Sequence, residues 1–112
     1  MEPIVMLNDK NYMVVIKPVG ETSVEELLLV PDLHKLKAGL NGGLLEIVPR
    51  FNRFMSRPCI VFVDEEGKLK NLLPNRTAQL LWEKAYGGPI VEDYLVGNVV
   101  IVVGSQGFLA QL

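Results

Sequence analysis

Apolar residues fall in short blocks separated by turn-forming clusters, and their spacing changes from block to block. Ile4-Val-Met-Leu7 and Tyr12-Met-Val-Val-Ile-Lys17 are rich in β-formers, and the Asn8-Asp-Lys-Asn11 cluster between them predicts an opening hairpin. Pro18 ends the second of these strands. Val24 to Val30 has the length of a short helix capped by Ser23, but Pro31 disfavours α geometry at Val30 and the β-branched ends favour an extended strand, which is the reading adopted. Leu33, Leu36 and Leu40 then form one helical stripe at i, i+3 and i+7. Pro31 suits its first turn, Asp32 suits the positive helix end, and Asn41-Gly-Gly43 stops it.

Leu44 to Val48 is the next predicted strand, closed by Pro49. Cys59 to Asp64 is a continuous apolar run, the pattern of a strand covered on both faces. Glu65-Glu-Gly67 is expected to turn the chain into a further strand at Lys68-Leu-Lys70, with acidic and basic ends pairing across the ladder. Asn75 is a good N-cap for a helix whose Ala78, Leu81, Trp82 and Ala85 share one face and which Gly87-Gly-Pro89 terminates. Trp82 is its expected core anchor. Gly97-Asn98, between Tyr94-Leu-Val96 and Val99 to Val103, fits either a tight hairpin turn or a bulge. Phe108, Leu109 and Leu112 give the tail an apolar face with which to dock. Together these blocks predict a single compact α+β domain, with a mixed or mostly antiparallel sheet of about five or six strands and two short helices on one face.

Composition adds an excess of apolar residues. The hydrophobic share is 49% of 112 residues before Gly is counted, whereas an ordinary domain reaches about 45–50% with Gly included. A homo-oligomer or a partner is therefore expected to cover part of the surface. Eleven basic residues against 13 acidic ones leave a net charge of −2, which opposes binding to duplex nucleic acid or to an anionic membrane. The longest apolar run, Val99 to Val103, is far short of the roughly 20 residues that span a bilayer. A single cysteine, Cys59, flanked by Ile60 and Val61, points to a core side chain in a reducing compartment, and the expected location is cytoplasmic.

No reactive constellation emerges. His34 is the only histidine; beside Lys35 and Lys37 it has the setting of a solvated surface residue, and with Cys59 it would still lack two zinc ligands. Asp64, Glu65 and Glu66 are the one carboxylate group of the kind that attracts Mg²⁺, but neighbouring side chains at a strand end point to different faces, so turn composition is the simpler account. Neither Gly42-Gly43 nor Gly87-Gly88 leads into a phosphate-binding pattern. The expectation is a protein with no cofactor, no metal and no catalytic activity.

One segment stands apart: Pro49-Arg-Phe-Asn-Arg-Phe-Met-Ser-Arg-Pro58 gathers Arg50, Arg53 and Arg57 with Phe51 and Phe54 and contains no acid. Arginine forks and aromatic faces together hold phosphates, stack on bases or grip an acidic protein surface. The competing account buries the phenylalanines beneath the loop and leaves the arginines solvated or paired with Glu. Arg50, Phe51, Arg53, Phe54 and Arg57 are the candidate binding residues.

The succession Val14-Val-Ile-Lys-Pro18, Gly42-Gly-Leu-Leu-Glu-Ile-Val-Pro49, Val61-Phe-Val-Asp-Glu-Glu-Gly-Lys-Leu-Lys70, Pro74-Asn-Arg-Thr-Ala78 and Leu95-Val-Gly-Asn-Val-Val-Ile-Val102 resembles the domain-of-unknown-function family 3846 of bacteria, phages and plasmids. The likeness covers about Met13 to Val103, so residues 1–12 are an N-terminal addition, 13–103 the family-like core and 104–112 a C-terminal tail of one domain. The Arg/Phe segment departs from the family pattern, which passes more directly between the flanking strands. The resemblance implies no catalytic residues. What it implies is a mobile-element origin, and with it a noncatalytic accessory protein that binds a host protein or other host macromolecule in the host cytoplasm, in the service of anti-defence or host takeover. The alternative expectation is a homo-oligomer that sequesters a nucleotide-like signalling molecule, with the arginines on phosphate and Phe51 or Phe54 stacked on the base.

Overall fold

All five residues of Val99–Val103 are buried, which calls for a strand paired on both edges and covered on both faces. The computed structural model, which describes residues 6–112, builds the domain around it. The elements in chain order are β1 (Asn11–Ile16), β2 (Thr22–Leu27), α1 (Leu33–Gly39), β3 (Leu45–Ile47), β4 (Arg53–Phe54), β5 (Arg57–Asp64), α2 (Arg76–Tyr86), β6 (Val99–Val103) and α3 (Gln106–Leu109). They form one six-stranded antiparallel sheet in the order β2-β1-β6-β5-β3, with β4 also on β5.

Strand alternation sorts the core into two layers. Val14, Ile16, Val61, Val63, Val99, Ile101 and Val103 point to the side where α2 packs Ala78 and Trp82. Met13, Val15, Phe62, Val100 and Val102 point to the other side, where α1 contributes Leu36 and Leu40 reaches in from its C-cap. Leu109 of α3 completes that second layer. The α+β sheet domain predicted from the hydrophobic blocks is thus the observed one, but a third helix is present and the helices cover both faces. The apolar runs of β5 and β6 already demand this, because half of each strand faces each way.

Several local expectations change. Ile4 and Val5 of the expected opening hairpin lie outside the described residues; Met6 and Leu7 are in no strand, and both edges of β1 are taken by β2 and β6. Asp32, and not Pro31, begins α1: its side chain caps the helix by accepting from the Lys35 N–H at 2.8 Å, and Pro31 is left one position outside. Lys68 to Lys70 is no strand. Residues 65–71 wind through successive turns closed by Gly67 N–H to Asp64 O, Lys70 N–H to Glu66 O and Leu72 N–H to Gly67 O, and Lys70 pairs back onto Asp64 at 2.7 Å. Gly97 is neither in a hairpin turn nor in a bulge, since Val96 meets Pro74 in an isolated antiparallel bridge before β6 begins. The capped helix from Asn75 forms as expected. Asn75 accepts from the Ala78 N–H at 3.1 Å, and Gly87 ends α2 at φ 99°, a left-handed position that a residue with a Cβ resists.

Candidate functional site

The segment between β3 and β5 owes its shape to a register shift. Ile47 lies opposite Phe62 and Arg53 opposite Pro58, so the outer chain takes six residue steps where β5 takes four. Two extra residues must leave the ladder. They leave after Val48, whose N–H still donates to Val61 O at 2.9 Å, and the chain rejoins at Asn52, whose carbonyl accepts from the Cys59 N–H at 3.1 Å. Arg50 sits in this excursion with φ 59°.

Beyond it, β4 and β5 close through a two-residue turn, Met55-Ser56, with φ of 51° and 66°. Both values lie in the left-handed region that Gly and Asn populate and that ordinary side chains avoid. Among the described residues five non-glycine positions have positive φ. Asn41 and Asn71 are of the tolerant type; the other three, Arg50, Met55 and Ser56, all fall within this one segment.

The five candidate residues separate. Phe51 and Phe54 are 2% and 3% exposed and pack with Trp82 in the core layer under α2, so neither ring is presented to a ligand. The Trp82 Nε1–H donates to Pro49 O at 2.9 Å and fastens the start of the excursion to the helix. Arg57 is occupied within the fold, donating through Nη1 to Leu7 O at 3.1 Å and to Lys10 O at 2.6 Å. Arg50 and Arg53 remain on the surface, with no acidic partner among the described residues. Arg50 lies over the Tyr86 ring at 5.5 Å and donates to its hydroxyl at 3.3 Å, while Arg53 donates to Ser56 O at 3.3 Å.

Two concavities flank this loop along the C-terminal half of α2. One, of about 340 Å³, is lined by Arg50, Trp82, Tyr86, Ile90 and Val91 together with the acidic Glu92 and Asp93. The second, of about 300 Å³, is bounded by Arg53, Met55, Ser56, Leu81 and Lys84. Met55, half exposed at the tip of the turn, stands beside the second. Sequence reasoning missed Met55, Lys84, Tyr86 and Val91. The helical spacing that places 81, 82 and 85 on the core-facing side leaves 84 and 86 at its margin, but only the packing of the loop on α2 shows that they border the arginines.

Cys59, Asp64 and Lys68, away from this loop surface, are engaged within the fold. Burial, opposed weakly by Arg53, pushes the Cys59 thiol up to about 12, and its S–H donates to Phe51 O at 3.6 Å. A thiol so held stays protonated and is a poor nucleophile. Burial of Asp64 favours its neutral form, but the Lys70 ammonium and the Glu66 N–H, which donates at 2.9 Å, outweigh that and hold the carboxyl below its ordinary value. Lys68 pairs with Asp93 and lies over the Tyr94 ring. No three His, Cys, Asp or Glu side chains among the described residues are placed to hold a metal ion, His34 is exposed on α1, and no described helix is long and apolar enough to cross a membrane.

The fold and this surface define a small α+β sheet domain that displays a strained, basic and partly apolar loop braced against a helix. No family model, curated protein or solved structure matches the chain.

Proposed function

We propose that the protein is a noncatalytic accessory protein that binds a macromolecular partner through the Arg50–Ser56 loop and the adjoining C-terminal half of α2. One observation carries this reading. Three unfavourable left-handed residues are concentrated where Arg50, Arg53 and Met55 are held outward, while Phe51 and Phe54 anchor the same loop in the core. Backbone strain of this kind costs on the order of 1 kcal/mol or more per residue and persists only where the surroundings enforce it, which favours a role for the displayed side chains. Arg, Tyr and Met are also the residue types enriched at protein interfaces. Their chemistry suits a partner with an acidic and partly apolar surface, and we propose a host protein as that partner. A nucleotide-sequestering role gains nothing from Phe51 or Phe54, since both rings are buried.

The test is capture of a discrete partner from bacterial lysate by the tagged protein, quantified for the parent and for a variant carrying Arg50→Ala, Arg53→Ala and Met55→Ala. The variant is expected to weaken the complex at least 30-fold, as loss of about 2 kcal/mol from a hot spot does. Equal capture by a variant with an unchanged circular dichroism spectrum, or failure of the parent to capture any partner, would refute the assignment.

A further inference from the structure

The two edges of the sheet differ. The β3 edge is three residues long and gives way at once to the excursion described above, whereas β2 runs six residues in unbroken register with β1 and, among the described residues, has no Pro, no bulge and no neighbour on its outer side. Sheet edges of that length are normally blunted, because their unpaired backbone groups invite another strand. The orientation of those groups follows from the hairpin. Lys17 N–H donates to Glu21 O at 2.8 Å, so Lys17 and Glu21 are a hydrogen-bonded pair, and so are Val15 with Ser23 and Met13 with Glu25 in the same register. The N–H and C=O of Thr22, Val24 and Glu26 therefore point outward.

We infer that β2 is a self-association edge, on which a second copy of this chain pairs antiparallel about a two-fold axis at Val24, joining the two sheets into one. Charge and strand overlap together select the register: a pairing centred on Thr22, at the start of β2, would set Val24 opposite Gly20, outside the strand. A pairing centred on Val24 sets Val24 opposite Val24, Ser23 opposite Glu25 and Thr22 opposite Glu26, with no like charges face to face. Centring it on Ser23 would oppose Glu21 to Glu25, and centring it on Glu25 or Glu26 would oppose that Glu to its own copy; each is destabilising. Each of the two glutamates also has a cation beside it in its own chain, Lys35 at 2.5 Å from Glu25 and Lys10 at 3.3 Å from Glu26, which softens their charge at this edge without cancelling it. In this register the Leu28-Leu29 end of each copy runs toward the Val19 end of the other. These three side chains are 86%, 81% and 77% exposed and are among the barest apolar residues of the domain. The inference is independent of the α2 surface and accounts for part of the apolar excess in the composition.

Light scattering after size exclusion tests it, at protein concentrations from about 1 to 100 μM, the range in which modest interfaces associate. The parent is expected to approach twice the chain mass of 12.5 kDa. Val24→Pro removes an outward donor at an edge position that tolerates proline, and Val24→Lys places like charges on the axis; each is expected to return the mass to that of one chain. Both variants are checked for folding by circular dichroism, and Val24→Lys serves if the proline variant unfolds. Amide hydrogen exchange in the parent dimer should protect Thr22, Val24 and Glu26 as well as Ser23 and Glu25. A parent that stays at single-chain mass throughout, a dimer that persists in the folded Val24→Lys variant, or fast exchange confined to Thr22, Val24 and Glu26 would each overturn the inference.

Discussion

Asn75 is fully buried, and one side chain there joins three parts of the fold. Its amide donates to Ile16 O at 2.8 Å, at the end of β1, and to Gly97 O at 2.9 Å, just before β6, while its carbonyl oxygen caps α2 through the Ala78 N–H. Asn75→Ala removes the cap, at about 1 kcal/mol, and leaves two buried carbonyls without their donor, at about 1–3 kcal/mol each before relaxation. The expected loss is about 3–5 kcal/mol, a large part of the roughly 5–15 kcal/mol that holds a domain of this size. Urea unfolding followed by Trp82, the only tryptophan, measures it; the midpoint should fall while the slope is unchanged. Asn75→Asp sharpens the test. It keeps the cap acceptor but turns an oxygen toward two carbonyls, so the charged form is disfavoured in the fold and the introduced carboxyl has a folded pKa above its unfolded one. Stability is then retained below about pH 4 and lost as pH rises through the folded pKa, by up to about 1.4 kcal/mol per pH unit. A folded Asn75→Ala protein within 1 kcal/mol of the parent, or an Asn75→Asp penalty that does not grow from pH 4 to 7, would refute the account of this residue.

Replacing Met55-Ser56 with Asn-Gly, the pair a two-residue hairpin with two positive φ values prefers, should stabilise the fold by about 1 kcal/mol and raise Tm by roughly 4 °C in a thermal scan; an unchanged or lower Tm would mean the turn is not strained. Asp64→Asn should lower stability at pH 7 by on the order of 1 kcal/mol, the worth of a charge-assisted hydrogen bond. Because the Asp64 carboxyl sits below its ordinary value of 3.8 in the fold, its contribution is present above that pH and lost as pH falls through the folded pKa, so urea midpoints of parent and variant should converge in acid. Gly43→Ala should cost more than 2 kcal/mol, since Gly43 has φ 97° and a Cβ there would lie 2.5 Å from the Asp64 carboxylate; a loss of unfolding free energy below about 1 kcal/mol in urea would contradict the tight fit.

The elements most legible in the sequence are those whose cause is local. Asn75 and Gly87 bracket α2 because a cap acceptor and a left-handed terminator act within one turn of the helix they bound. Val99 to Val103 is a strand because five consecutive β-formers have few other options. Lys68-Leu-Lys70 misled for the complementary reason: alternation over three residues is too short to outweigh the turn hydrogen bonds that Gly67 permits. Of the expected opening hairpin, the described part departs through competition at long range: β1 finds β2 on one edge and β6 on the other, and Met6 and Leu7 are in no strand. The two-faced arrangement of helices was implicit in the doubly buried strands, but which helix covers which face is set by connections that periodicity does not encode.

The Arg/Phe segment shows where composition stops informing. Its residues are evenly mixed along the chain, and nothing in their order says that Phe51 and Phe54 turn inward while Arg50 and Arg53 stay outside. That division follows from the two residues inserted relative to β5, a quantity defined only once Ile47 has met Phe62 and Arg53 has met Pro58. Arg57, alike in composition, is drawn instead to the Leu7 and Lys10 carbonyls because β5 has begun by then and its pleat directs the side chain there. The core anchors also bear on binding. A loop fixed by two buried phenylalanines and the Trp82 bond is already ordered, so a partner that meets Arg50, Arg53 and Met55 avoids most of the entropy of immobilising them. In the proposed role, the strain is the cost of that preorganisation. Replacing the turn with Asn-Gly keeps that geometry but removes the Met55 side chain, so it should stabilise the domain and weaken partner capture together, an opposition that a purely structural loop would not show.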